Sequence, residues 1–390
     1  RAARDQDKEQ AAISRAKIEE ITVATADIQR LALRSSAAQR KGGLTNLALT
    51  GKVRRLFDGK PDDCVNEPPD GYYPAVSKSD SRNDGPAMAV AAACTAQRLY
   101  VDEDFIALDA LLARQAGNLG GLPDGGTSLH ASVNGVSDFF SFSMDSVDDH
   151  LRRLAEWRRT VPDSGYPDLM EAMLFSDWAW SARGHGTSKQ VSQQAWAAFG
   201  FRSEMSWLSL QRAVPAALQN PLWCKLSMRL QHDRSAGVEA LRKTLDSCIK
   251  RFPRDFSLYT SMLRSLMPRW FGSAEDIDAF VNEVTAAAAP DADELYARLY
   301  AAYASLEQDE VNIFEDSRAD WVRMKAGFER LLRAYPHSDA VRNEYARLAC
   351  LADDQQAYRS LRSSIDGHVS ATSWTRNTTM AQCDSRLRAN

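Results

Sequence analysis

The residues best suited to chemistry lie in the segment "WAWSARGHGTSK". It places Arg183, His185 and Lys189 beside Trp178 and Trp180. Guanidinium, imidazole and aromatic groups in one loop can bind an anion, since arginine donates two parallel hydrogen bonds to a carboxylate or a phosphate. Trp178, Trp180, Arg183 and His185 are therefore candidates for partner binding.

The same segment is also typical of the end of a helix. Gly184 and Gly186 suit the position after the last turn, and Arg183 and His185 complement the negative end of the helix dipole. The two tryptophans would then belong to the core. The pattern favours this structural interpretation.

A second aromatic segment, "LMPRWFGS", contains Arg269, Trp270 and Phe271. Tryptophan and arginine are enriched among the residues that dominate protein interfaces, so these three are candidates for an exposed anchor. The alternative, which the pattern favours, is that Trp270 and Phe271 fill the gap between two helices before Ser273 caps the next one.

The sequence lacks the motifs of the common catalytic classes. It has no Walker-type glycine loop, no GxSxG elbow, no HExxH and no CxxC. The glycines of "GNLGGLPDGGTSLH" do not follow a strand, which argues against a nucleotide site. We expect no metal, no cofactor and no catalysis. The alternative is an enzyme of unrecognised type that uses the Arg183/His185 region or the loop around Asp124. Convergence of His130, His185 and carboxylates in a deep pocket would support this alternative.

The composition is that of an ordinary globular protein. The chain has 390 residues, of which 44% are hydrophobic and 26% charged, and its net charge is −4. A nucleic-acid partner is not expected, because such proteins carry a basic domain or stripe. No apolar run approaches the ~18 residues that span a bilayer.

The first residue is Arg1 rather than a methionine. We expect that a membrane anchor or signal sequence precedes it, so that any membrane contact is made through that removed segment. A chain trimmed for convenience is the alternative.

The six cysteines bear on the compartment. They fall into three sequential pairs, each spanning about 24 to 33 positions: Cys64 with Cys94, Cys224 with Cys248, and Cys350 with Cys383. Cys224 and Cys248 lie in consecutive predicted helices, and a residue early in one helix of an antiparallel hairpin faces a residue late in the next. Cys350 and Cys383 bracket the last such hairpin in a similar way, whereas Cys64 lies in a loop and Cys94 in the helix after it. All three pairs are disulfide candidates. Three disulfides predict an oxidising compartment, the periplasm or cell envelope. Six buried free thiols in a cytoplasmic protein are the alternative.

The chain divides into three predicted parts. Residues 1–57 form an N-terminal helical segment, residues 58–86 a loop rich in proline and glycine, and residues 87–390 a helical-repeat domain. Sustained alternation of β-branched and polar residues is missing, which predicts an all-α fold.

Three prolines punctuate the helical part. Pro162, Pro253 and Pro336 each follow an amphipathic run, and a new helix restarts a few residues later. Proline disfavours helix in the residue before it but suits the first turn of the next helix. We therefore predict tetratricopeptide-like helical hairpins, stacked as an α-solenoid or a compacted superhelix.

Two segments of the chain are specific enough to compare with known families: "AWSARG" (Ala179 to Gly184) and "LMPRWFGS" (Leu266 to Ser273). With them, roughly residues 87–385 resemble an uncharacterised proteobacterial family, domain of unknown function 4034. The resemblance implies tetratricopeptide-like repeats. It implies no activity and no catalytic residues.

The sequence favours a non-catalytic protein-protein interaction module of the bacterial cell envelope. A more specific version of this prediction is an immunity-like protein that binds and neutralises a toxin or effector. Two alternatives stand beside the protein-binding role. One is the enzyme described above. The other is a structural or assembly subunit that docks through the N-terminal helix.

Overall fold

The computed structural model describes residues 85–118, 121–143, 145–184, 188–213, 220–270, 272–288, 290–306, 312–365, 368–370, 373–375 and 378–389. The predicted N-terminal helical segment, nearly all of the predicted Pro/Gly-rich loop, and Cys64, His185 and Phe271 lie outside these residues. Within them, regular structure is helical apart from one β-bridge between Gly121 and Thr127. The predicted all-α class is confirmed, and the repeat type stays a prediction.

Sixteen α-helices lie in this part of the chain. They are α1 (Gly85–Val101), α2 (Phe105–Gly117), α3 (Ser128–Phe142), α4 (Val147–Thr160), α5 (Tyr166–Arg183), α6 (Gln193–Arg212), α7 (Pro221–Asp233), α8 (Val238–Ile249), α9 (Phe256–Ser265), α10 (Ala274–Ala286), α11 (Ala292–Leu306), α12 (Ile313–Asp316), α13 (Trp321–Ala334), α14 (Asp339–Leu351), α15 (Gln355–Ile365) and α16 (Met380–Ala389).

The three punctuating prolines lie between helices, as predicted. Pro162 follows α4, Pro253 follows α8, and Pro336 follows α13. Serine residues cap the first turns of later helices. At the start of α14, the Ser338 hydroxyl accepts a hydrogen bond from the Val341 N–H at 3.3 Å, and Ser273 caps α10 in the same way. Such caps satisfy N–H groups that a helix leaves unbonded at its start.

The apolar faces expected from the sequence point inward. Residues at helical spacing on α10, α14 and α15 are buried, and they are Ile277, Phe280, Val284, Val341, Tyr345, Leu348, Tyr358, Leu361 and Ile365. The period of 3.6 residues therefore identified the buried sides correctly.

Two hydrophobic cores share helix α7. One core is built mainly from α1 to α5 and includes Leu222, Leu226 and Leu230 of α7. The other is built from α8 to α16 and includes Cys224 and Met228 from the other side of α7. Helix α7 is therefore a common wall, with one face buried in each core.

Two of the three predicted cysteine pairs are at disulfide distance. Cys224 of α7 is bonded to Cys248 of α8 with a Cα–Cα distance of 6.0 Å, and Cys350 of α14 is bonded to Cys383 of α16 with 5.8 Å. Cys94 is buried in α1. Its predicted partner lies outside the described residues, so that pair stays a prediction.

None of the described helices is long and apolar enough to cross a membrane.

Candidate functional site

Helices α5 and α6 form a closely packed hairpin. The α6 side chains that face α5 include the buried Ser203, Ser206 and Ser209, and the Ser206 hydroxyl donates to the carbonyl of Ala172 at 2.5 Å. Small side chains at the contact shorten the distance between two helix axes.

The two predicted tryptophans of α5 lie on different sides of the helix, because two residues correspond to a rotation of about 200°. Trp178 packs under Arg202 of α6, whose guanidinium carbon is 3.8 Å from the ring centroid. Arg202 also donates to the Trp178 carbonyl at 2.8 Å. Trp180 instead faces α7. The predicted set of Trp178, Trp180 and Arg183 is therefore divided between two places.

At the tip of the hairpin, the Arg183 guanidinium lies between two tryptophan rings. Its carbon is 5.3 Å from the centroid of Trp180 and 5.5 Å from that of Trp196. Both rings pack edge-on against Phe199, at 5.3 and 5.8 Å. Trp196 is 39% exposed. The rings hold Arg183 by cation–π contacts and leave one aromatic surface open to solvent.

The carboxyl end of α7 joins the two aromatic segments found in the sequence. The Trp180 indole N–H donates to Asp233 at 3.0 Å. On the neighbouring residue, the His232 ring packs edge-on against Trp270 with centroids 4.6 Å apart. The segments "AWSARG" and "LMPRW" are far apart in the chain, yet they meet here through two adjacent residues of α7.

A third arginine–tryptophan pair extends this region along α6. Arg234 is the residue that follows α7. Its guanidinium carbon lies 4.7 Å from the Trp207 ring centroid, and one guanidinium nitrogen lies 3.1 Å from the Glu204 carboxylate. Trp196 and Trp207 are eleven residues apart, which returns to the same side of a helix after three turns. Both rings therefore lie along one side of α6.

Positive charge surrounds Asp233. Arg229 donates to Asp177 at 2.7 Å, and Asp233 acts on it as a second negative neighbour. Partial desolvation first, and then the charge of Arg269, lower the pKa of the exposed Arg264, while Asp233 raises it. Arg269 is exposed and donates to the Leu306 carbonyl at 3.0 Å.

We call this region the Arg–Trp surface. It consists of Trp180, Arg183, Trp196, Trp207, Arg234, Arg264, Arg269 and Trp270 around the carboxyl end of α7. Fixed aromatic planes beside guanidinium groups can bind apolar and carboxylate side chains together. Trp196 and Trp207 were not singled out from the sequence, although the antiparallel register of two helices joined by a short connection would have brought Trp196 opposite Arg183.

His130, one of the two histidines named for the enzyme alternative, is buried. His130 Nε2 is 3.4 Å from the Asp255 carboxylate, and the charge of Lys225 acts on both. Burial first, and then Lys225, lower the pKa of His130. His130 and Asp255 are both buried, at 5% and 0% exposure, so these groups connect α3, α7 and α9 in the interior. Among the described residues, no three His, Cys, Asp or Glu side chains are grouped to hold a metal ion.

Comparisons with family models, curated proteins and solved structures found no match to this chain. The resemblance to the proteobacterial family therefore stays a prediction.

Proposed function

We propose that this protein is a non-catalytic protein-binding module of the cell envelope, and that it binds its partner through the Arg–Trp surface. The observation that carries this proposal is Arg183 held between Trp180 and the exposed Trp196. Tryptophan and arginine are enriched among the few residues that contribute most of the binding energy at interfaces. Fixing their positions before binding lowers the cost of ordering them.

The charge of the surface indicates the chemistry of the partner. Arg229 and Arg264 lie within electrostatic reach of Asp233, and Arg229 also pairs with Asp177 at 2.7 Å. Arg183 and Arg269 add further positive charge to this region. A complementary partner presents acidic side chains around an apolar or aromatic centre. A toxin or effector that this protein neutralises is the specific form of the proposal.

The compartment is supported by the two cysteine pairs. Disulfides form and persist in oxidising compartments such as the periplasm. The pairs Cys224–Cys248 and Cys350–Cys383 are the observation behind the cell-envelope part of the proposal.

Affinity enrichment from extracts of the organism that makes the protein tests the proposal. The bait is the oxidised full chain, compared with the double variant Arg183→Ala, Trp196→Ala. A matched control, Arg359→Ala with Val322→Ala, removes an exposed arginine and a 76% exposed apolar residue on other helices.

We expect a partner that the wild type and the control capture alike. Two hot-spot truncations of about 2 kcal/mol each should weaken its binding to the double variant by roughly 100-fold or more. Equal recovery by all three baits would contradict the assignment of the surface, and the absence of any specific partner would contradict the binding role.

A further inference from the structure

The last described helix, α16, is attached to the rest of the protein chiefly through its cysteine. Of the α16 side chains that the structure describes, residues 380–386, only Cys383 is buried, at 1% exposure. Met380 packs against the core at the start of the helix and stays partly exposed. Helix α16 has 10 residues, and isolated helices shorter than about 12 residues are marginal in water. Its stability therefore depends on what fastens it to its neighbours.

The other bonds of α16 are polar and partly exposed. Asp384 accepts hydrogen bonds from the Tyr358 hydroxyl at 2.8 Å and from Arg362 at 3.0 Å, both on α15. Arg386 donates to the Cys350 carbonyl at 3.4 Å. Ion pairs and hydrogen bonds of this kind contribute little each, because water competes for the same groups. The covalent bond from Cys383 to Cys350, near the end of α14, is the strong attachment.

An open cavity reaches this disulfide. Its volume is about 200 Å³, and it is lined by Cys350, Asp353, Gln355, Tyr358, Cys383 and Arg386. Cys350 is 6% exposed and Cys383 is 1% exposed, so Cys350 is the more accessible end of the bond. Arg386 brings positive charge into the same cavity, and a nearby guanidinium stabilises a cysteine thiolate.

The other described disulfide has different surroundings. The bond between Cys224 and Cys248 joins α7 to α8, and both cysteines belong to a hydrophobic core. Helix α8 also buries Leu241 and Leu245, and α7 has one face in each core. These two helices are therefore held by apolar packing as well as by their disulfide, whereas α16 is not.

We propose that the Cys350–Cys383 bond is a redox-sensitive latch, whose reduction releases α16 while the other helices stay folded. The reductant is a dithiol. One of its sulfurs attacks Cys350 Sγ as a thiolate, and Cys383 leaves as a thiolate beside Arg386. The second sulfur then displaces Cys350 from the mixed disulfide, so the dithiol becomes a disulfide and its two protons pass to the two cysteines.

Release of α16 changes the end of the helical array. The Tyr358 side chain is 1% exposed while α16 is in place, and its hydroxyl loses the acceptor Asp384 when α16 departs. Reduction therefore uncovers an aromatic side chain and two thiols at the end of α14 and α15. These groups lie on other helices than the Arg–Trp surface, so the inference does not depend on the proposed function.

The test uses the oxidised full chain, treated with dithiothreitol under native conditions. Thiols are alkylated at successive times and located by mass spectrometry, which gives the reduction rate of each bond. Hydrogen exchange of the backbone amides is measured before and after reduction. The double variant Cys350→Ser, Cys383→Ser removes the latch, and Cys224→Ser, Cys248→Ser is the matched control. Circular dichroism establishes that each protein is folded.

We expect Cys350 and Cys383 to be alkylated about tenfold or more faster than Cys224 and Cys248, because a cavity reaches their bond. The amides of α16 should exchange about tenfold or more faster in the reduced protein and in Cys350→Ser, Cys383→Ser. In the matched control, α16 should exchange as in the wild type, and α11 and α13 should keep their protection in every protein. The reduced wild type gives this readout without any substitution, so the test does not depend on the folding of a variant.

Three results would overturn the inference. If reduction leaves the exchange of α16 unchanged, other contacts hold the helix. If exchange rises throughout the chain, the bond is a required part of the fold rather than a latch. If the two disulfides are reduced at equal rates, the cavity gives no preferred access to Cys350.

Discussion

Replacing Gly327 by alanine is expected to destabilise the protein, because α13 crosses α11 without space for a side chain there. A Cβ at Gly327 would lie 2.1 Å from the backbone oxygen of Asp293 and 2.7 Å from the Cβ of Ala297, where ordinary contact begins at 3.4 Å. The obstacle is mainly backbone, so the two helices must separate by more than about 1 Å. Overpacking of this kind costs about 3 kcal/mol at the upper end of its usual range. The better helix propensity of alanine returns about 1 kcal/mol, which leaves a net loss of about 2 kcal/mol.

Gly200 provides the matched control for this change. It lies within α6 with no atom within 4 Å of a Cβ, so Gly200→Ala should stabilise the protein by about 0.5–1 kcal/mol. Urea unfolding, followed by circular dichroism under non-reducing conditions, measures both variants against the wild type. The two midpoints should move in opposite directions. A Gly327→Ala midpoint equal to or above that of the wild type would show that α11 and α13 do not pack as closely as described.

Three further outcomes follow from individual groups. Replacing Cys224 and Cys248 by alanine opens a loop of 24 residues and should cost about 3.5 kcal/mol in urea unfolding; an unchanged midpoint would contradict the disulfide. Burial lowers the pKa of His150 to about 4, so the unfolded chain takes up the proton first and stability falls as the pH drops below about 6.5. Between pH 6.5 and pH 4, the free energy of unfolding of the wild type should fall by about 3 kcal/mol more than that of His150→Gln. Parallel pH profiles of stability for the two proteins would refute this. Partial burial raises the pKa of Asp354, but hydrogen bonds, first of all the one from Lys325, lower this pKa to about 2. The NMR titration of Asp354 should therefore have a midpoint near pH 2. A midpoint near pH 4 would contradict these hydrogen bonds.

Helix boundaries and buried faces could be predicted from the sequence because they depend on local physics. Pro162, Pro253 and Pro336 lie between helices, since proline restricts the residue before it wherever it occurs. Serine caps such as Ser273 and Ser338 are equally local. Two cysteine pairs were also correct. Cys224 lies early in α7 and Cys248 late in α8, which are positions that a helical hairpin brings together. Cys350, near the end of α14, instead pairs across α15 with Cys383, near the start of α16.

The functional surface was only partly predictable, because it depends on contacts between distant segments. Trp178 and Trp180 were grouped by their closeness in sequence, but the helical rotation separates them. Trp196 was missed because its place opposite Arg183 depends on the register of α5 against α6. The meeting of Trp270 with this region through His232 is a tertiary contact that no local pattern encodes.

The connection between α2 and α3, which folds into a small hairpin over Gly121–Thr127, shows the same limit in another way. Its glycines correctly predicted a loop. Its contacts with Phe256, Arg298 and Tyr335 join residues more than a hundred positions apart. Such contacts arise from the packing of complete helices, so a single sequence gives no signal for them.

The most direct test of the protein-binding role is the dissociation constant of the captured partner for the wild type, for Arg183→Ala with Trp196→Ala, and for Arg359→Ala with Val322→Ala. We predict a loss of affinity of roughly 100-fold or more for the first pair. We predict no change for the second pair, and weaker binding of the wild type as salt concentration rises. Equal dissociation constants for all three proteins would contradict the Arg–Trp surface as the binding site.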